Sequence, residues 1–148
     1  MRDGFINNGF TLIEILIAIL ILSILAGFMI PAIIGSQKRS YDIGAQSCAK
    51  SIETVQGISQ IDNRSYLKVG SGASQINKNT DGVSASCKIP SVFIKDRSSP
   101  SSIIDDYSID VWDSRGSKVF TITPSYLKSN APGATPFSTD GSGGSNLP

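Results

Sequence analysis

The chain has 148 residues, 40% of them hydrophobic, with 13 basic and 12 acidic side chains and a net charge of +1. That length gives one domain with a modest core, and so even a charge balance gives no support for a dedicated nucleic-acid surface. Histidine is absent, which excludes His-based acid–base catalysis, Ser-His and Cys-His nucleophile pairs and histidine metal sites, and two cysteines alone cannot build a four-thiolate zinc centre.

Residues 1–9 (MRDGFINNG) are short and polar, and residues 10–34 follow as FTLIEILIAILILSILAGFMIPAII, with Glu14 the one charge. As a helix, ~25 residues rising ~1.5 Å each extend about 37 Å, enough to cross a hydrocarbon core of ~30 Å. The stretch is too long for an ordinary secretory signal, and no A-x-A site follows it; Ile24-Leu25-Ala26 is a weak substitute. A plain single-pass anchor fits the length but leaves Glu14 unexplained, because an intramembrane carboxylate costs roughly 2.5–3.5 kcal/mol at the helix centre.

Gly9-Phe10-Thr11-Leu12-Ile13-Glu14 resembles the processing motif of type IV prepilins and the related pseudopilins. It joins a short polar leader, a Gly-Phe junction, a glutamate and an uninterrupted apolar run. The resemblance implies that prepilin peptidase cuts between Gly9 and Phe10, that Phe10 is N-methylated, and that Glu14 becomes the fifth residue. It also implies that Glu14 pairs with the N-terminal amine of a neighbouring subunit in a filament. Glu14 lies about 6 Å along a helix from that amine at ~1.5 Å per residue. An apolar surrounding strengthens such an attraction and penalises a subunit left unpaired.

Gly27 and Pro31 interrupt the apolar run. Proline removes a backbone donor and crowds the preceding turn, so a kink is expected. Two readings stand side by side: simple tolerance, since both residues are common in membrane helices, and local unwinding that lets the helix adapt inside a filament, as the resemblance implies.

Beyond Gly35 the helical period continues with one apolar stripe, Tyr41, Ala45, Cys48, Ile52 and Val55, which Ile58 and Ile61 can prolong. One helix over about residues 10–61 is expected, greasy all round in its first half and amphipathic in its second. Residues 63–82 are rich in Gly, Ser and Asn and read as a loop; Asn63-Arg64-Ser65 matches a glycosylation sequon, taken as a chance match. Strand signals follow in Val83–Ile89, in Tyr107–Trp112 and in Val119–Thr123, with Ser114-Arg115-Gly116 suited to a hairpin loop whose glycine is left-handed.

The expected architecture is α+β and pilin-like: a long N-terminal helix, membrane-spanning in its first half, packed by its second half against a small antiparallel sheet. The divisions are a leader at 1–9, a transmembrane half at 10–35, a head at 36–128 and a flexible tail at 129–148, where eleven of twenty residues are Gly, Ser or Pro. Cys48 on the stripe and Cys87 on the matching strand face should share one interface, within reach of a disulfide; two buried free thiols are the alternative. Asp105, Asp106, Asp110 and Asp113 crowd together without calcium-loop spacing, so solvated charges beside strands are the ordinary explanation. No cofactor or metal is expected.

No convergent catalytic set appears, so an enzyme ranks last. The leading reading is a structural pilin, held in the inner membrane as a precursor and then displayed in an extracellular pilus. Its implied partners are prepilin peptidase, the inner-membrane assembly platform with its ATPase, membrane lipid before assembly, and copies of itself or related pilins. Adhesion, twitching and DNA uptake are family activities that the residues do not separate. Alternatives are a pseudopilin of a type II secretion system and a minor pilin acting as a binding tip protein. The scattered Lys68, Lys78, Lys88, Lys95, Arg97, Arg115, Lys118 and Lys128 do not support DNA capture.

Overall fold

Apart from Glu14 and Ser23, residues 12–26 are all Leu, Ile or Ala, and with no Gly or Pro among them one helix propagates. In the computed structural model, which describes residues 10–99, 104–133 and 143–148, helix α1 runs Leu12–Asn63 and is continuous through Gly27 and Pro31. The leader, Gly9 included, lies outside the described residues. Two compact units are present, Met1–Ser36 and Gln37–Pro148. In the first, every described residue is exposed, and the apolar window reaches a mean hydropathy of 2.8 with none of it buried. Length and composition suffice for a membrane span.

In the second unit, α1 buries Asp42, Ala45, Cys48, Ala49, Ile52, Val55, Gln56 and Ser59, a narrow 3.6-period face. The expected continuation through Ile58 and Ile61 is not what forms: they are 52% and 82% exposed. The stripe instead runs on through polar residues. The Gln56 amide brackets Leu67, donating to its carbonyl and accepting from its N–H at 2.7 Å each, and the Ser59 hydroxyl donates to Ser65 O at 2.8 Å. The chain leaving the helix folds back over this face, so its backbone needs side-chain partners there. Arg64 takes the left-handed conformation (φ 53°) that turns it back.

Four strands follow as an antiparallel meander, β1 (Val92–Asp96), β2 (Ile109–Asp113), β3 (Val119–Thr123) and β4 (Tyr126–Asn130), in spatial order β1-β2-β3-β4. Register pairs Ile94 with Val111, Val111 with Phe120 and Ile122 with Leu127. These side chains share one face by strand periodicity, and they join Ala45, Cys48, Ala49, Ile52 and Val55 of α1 in the core. Every residue of β2 and β3 is buried, so neither strand presents a solvent face. Phe93 stacks on Trp112 with centroids 5.9 Å apart on the far side.

Three expectations are corrected. Residues 85–88 form a turn of 3-10 helix rather than a strand: Ser84 accepts from the Ser86 N–H at 3.2 Å and caps it, and Cys87 is buried all the same. The β2–β3 loop is longer than three residues, because the outermost pair is Trp112 with Val119. Its Gly116 is not left-handed; among the described residues only Gly82, Gly133 and Gly143 are glycines of positive φ.

The third correction concerns 129–148. Ser129 and Asn130 complete β4, and residues 143–148 are docked onto the head. Ser145 and Ile94 exchange both backbone bonds, at 2.8 and 3.0 Å. Asn146 Nδ2 donates to the carbonyls of Pro90 and Val92 at 2.8 and 2.9 Å, and Pro148 O accepts from Lys78 N–H at 2.9 Å. Leu147 is fully buried in the core. A glycine-rich segment suits this edge, since a Cβ on Gly144 would collide with the Trp112 indole. Residues 134–142 of the expected tail lie outside the described residues.

Candidate assembly segment

At the start of α1, Thr11 is the residue before the first helical position. Its hydroxyl accepts from the Glu14 N–H at 3.3 Å, while Glu14 Oε2 stands 3.5 Å from the Thr11 N–H and hydroxyl. This reciprocal arrangement is a capping box, which satisfies donors that the first helical turn leaves without partners. The T-x-x-E spacing before an apolar run was its signature in the sequence, and Thr11 is the residue that the motif reading left without a role. Phe10 beside it is 78% exposed.

Further along, Pro31 supplies no N–H to the carbonyl of Gly27, four residues back, so the two kink candidates share one missing helical bond. Around them Ile15, Ile19, Leu22, Leu25, Phe28 and Met29 are each at least half exposed. With only Glu14 charged, this surface has no water-compatible face and requires lipid or other helices as its surroundings.

In the head, Cys48 on α1 and Cys87 in the 3-10 turn form a disulfide, with Cα atoms 4.9 Å apart and a sequence separation of 39. The four crowded aspartates do not act together. Arg97 grips buried Asp110 with two bonds of 2.7 and 2.8 Å while the Thr121 hydroxyl donates to it at 2.7 Å. Burial pushes the Asp110 carboxyl up, against the pull of Thr121 and Arg97. Arg115 holds Asp113 through Nε and its terminal nitrogen at 3.0 and 2.9 Å and lies 4.0 Å above the Tyr41 ring. Burial raises the Asp113 carboxyl, but hydrogen bonds from Arg115 and Ser91 outweigh it and hold it below the usual range. Asp105 and Asp106 are exposed, and among the described residues no three His, Cys, Asp or Glu side chains gather into a metal-binding group.

The family pattern described as the prokaryotic N-terminal methylation motif matches residues 6–30. The match falls on the polar leader and the start of the apolar helix. The chain is similar to the type IV wide pilus major component PilA4 of Thermus thermophilus, with 42% identity over 59 residues, 40% of this chain and 45% of that protein. It is also similar to the type II secretion system core protein G of Pectobacterium carotovorum, with 31% identity over 71 residues, 48% of this chain and 46% of that protein. The chain thus spans a little under half the length of these curated relatives.

The structure reveals one further positioning residue that no motif marked. Asp42 is 6% exposed on α1 and accepts from the amides of Ser117 and Lys118 at 2.8 and 3.0 Å and from the Ser117 hydroxyl at 2.8 Å. It ties α1 to the β2–β3 loop. A charged residue within an apolar stripe, one residue after Tyr41, was the signal available.

Proposed function

We propose that this chain is a structural subunit of a type IV pilin-type filament. It stands in the inner membrane on residues 10–35 as a precursor, is cleaved between Gly9 and Phe10 by prepilin peptidase, is N-methylated on Phe10, and is displayed on an extracellular pilus. The carrying observation is a helix that is exposed on all sides from Phe10 to Ser40 yet has no charge from Ile15 to Ile34. Lipid covers it before assembly, and the same segment of other subunits covers it afterwards, delivered by the assembly platform and its ATPase. Glu14 sets the register by pairing with a neighbour's amine, and the bond missing at Gly27 and Pro31 gives the helix a place to bend. The role asks for no chemistry from the chain.

Intact mass and N-terminal sequencing of filament-associated protein test this. The expected mature chain begins at methylated Phe10, and a bulky side chain in place of Gly9 leaves the precursor in the membrane. A mature chain starting at Gly27 would instead mean an ordinary signal peptide and would sink the reading.

A second reading is favoured by the likeness to a type II secretion core protein: a pseudopilin built on the same helix and head. Deletion of the gene separates the two. Loss of surface filaments with secretion intact supports a pilin, and loss of secretion supports a pseudopilin.

A further inference from the structure

Asp42 draws the β2–β3 loop onto α1, and in doing so it brings two cations into the lining of one groove. Arg39, Ile43 and Gln46 of the helix face Lys118 and Phe120 across a groove of about 570 Å³ with Asp42 in its wall. The Asp42 carboxylate is occupied by the loop amides and the Ser117 hydroxyl. Arg39 and Lys118 are exposed, and neither belongs to a salt bridge among the described residues. Ile43, at 65% exposure, adds an apolar surface beside them. Two cations with the Gln46 side-chain amide and the Ser129 hydroxyl in the same lining suit a phosphate, and the neighbouring isoleucine suits the boundary between headgroup and acyl chain.

Covalent geometry limits where this groove can stand. The apolar run ends at Ile34, five residues before Arg39, and even a fully extended chain of that length spans at most about 18 Å. A head anchored through residues 10–34 therefore keeps Arg39 close to the headgroup layer whatever path the chain takes. Sequence distance and groove chemistry point to the same ligand. We propose that this groove binds the phosphate headgroups of anionic phospholipid while the subunit stands in the membrane, holding the head on the bilayer until assembly removes it. The inference rests on the membrane-anchored reading above and adds a lipid site on the head to it.

The test uses the full chain in nanodiscs of phosphatidylcholine, alone or mixed with phosphatidylglycerol, with a nitroxide on a fraction of the headgroups. NMR signal loss is read at the backbone amides of residues 39–46 and 117–118 against those of 71–81. The expected result is selective loss at the first two groups, greater with phosphatidylglycerol. Arg39→Gln and Lys118→Gln should each reduce the anionic preference about fivefold, as for a basic residue beside an anionic surface, with the effect shrinking as salt rises. Both side chains are exposed, so the substitutions leave the core untouched.

A chain that fails to enter nanodiscs would overturn the membrane-anchored reading itself. A chain that enters while residues 117–118 keep their signal would overturn the lipid site alone. Inorganic phosphate producing the same amide changes in pure phosphatidylcholine would assign the groove to free phosphate. Protection that follows protein density rather than lipid charge would assign it to a second copy. Either result replaces the proposal.

Discussion

Asp42 on α1 accepts a hydrogen bond from the Lys118 amide across 76 residues of sequence, and in the same loop Gly116 lies so close that a Cβ there would collide with the Asp42 carboxylate. The glycine is required by this approach and not by its backbone angle. Asp42→Ala removes a nearly buried charged acceptor and should destabilise the head by about 2–3 kcal/mol. Gly116→Ala should cost a similar amount by pushing the carboxylate off the loop, and the double variant should cost much less than the sum. Urea unfolding followed by the fluorescence of Trp112 checks this; full additivity would mean that the two residues act independently.

Non-reducing peptide mapping should link the Cys48 and Cys87 peptides. In the chain-entropy picture a loop of this size contributes roughly 4 kcal/mol, so Cys87→Ser should lower stability by about 2–5 kcal/mol. Both thiols alkylating freely under oxidising conditions would contradict the bond.

Leu147 fills a core site from a segment of otherwise small and polar residues. Leu147→Ala should cost about 2–5 kcal/mol and raise amide exchange at Ile94, whose N–H is held by Ser145 O. Unchanged exchange at Ile94 would show that the leucine does not hold this segment down.

The two gripped aspartates predict opposite pH slopes. Arg115 and Ser91 overcome the burial of Asp113 and leave its folded pKa below the unfolded value. The unfolded chain then takes up this proton first, so the contribution is complete above about pH 5 and is lost as pH falls through about 4 and below. Asp110 is raised by burial despite Thr121 and Arg97, so its contribution declines as pH rises above the ordinary carboxylate range. Between about pH 5 and pH 3, Asp113→Asn should flatten the acid loss of Tm and Asp110→Asn should steepen it. The same slope in all three proteins would refute both assignments.

Glu14 has two separable duties, since its carboxylate caps its own helix with Thr11 and is proposed to pair with a neighbour's amine. Glutamine serves in a capping box as glutamate does but carries no charge. Glu14→Gln should therefore keep anchoring and cleavage after Gly9 while filament yield per processed subunit falls as far as in Glu14→Ala. A normal yield from Glu14→Ala, with no wild-type copies to co-assemble, would show that the carboxylate does not direct assembly.

The long helix, its change from greasy to amphipathic, the strand at Val119–Thr123 and the meeting of Cys48 with Cys87 were all legible, because side-chain period and apolar runs carry them. What stayed hidden was carried by backbone. Residues 143–148 pair through Ser145 main-chain groups, so composition reads them as loop. Ser84, Ser86 and Lys88 alternate with apolar residues as a strand would, but the Ser84 hydroxyl captures an amide two residues on and coils the segment. β1 has no alternation, and β4 is largely exposed, so neither stood out from its surroundings. Asp42 was passed over because two of its three donors are backbone amides, which no side-chain pattern records.

Leu147 also sets a timetable for the newborn chain. It lies 95 positions after Ile52, one of the helix residues in the same core. At a synthesis pace of about 5–20 residues per second, the apolar stripe of α1 waits roughly 5–20 s for its last large partner. A head assembled from such distant segments is also slow to find its contacts once they are all present. During that interval the stripe and the unfinished sheet keep apolar surface uncovered, so the core of the head can close only after residue 147 has been made.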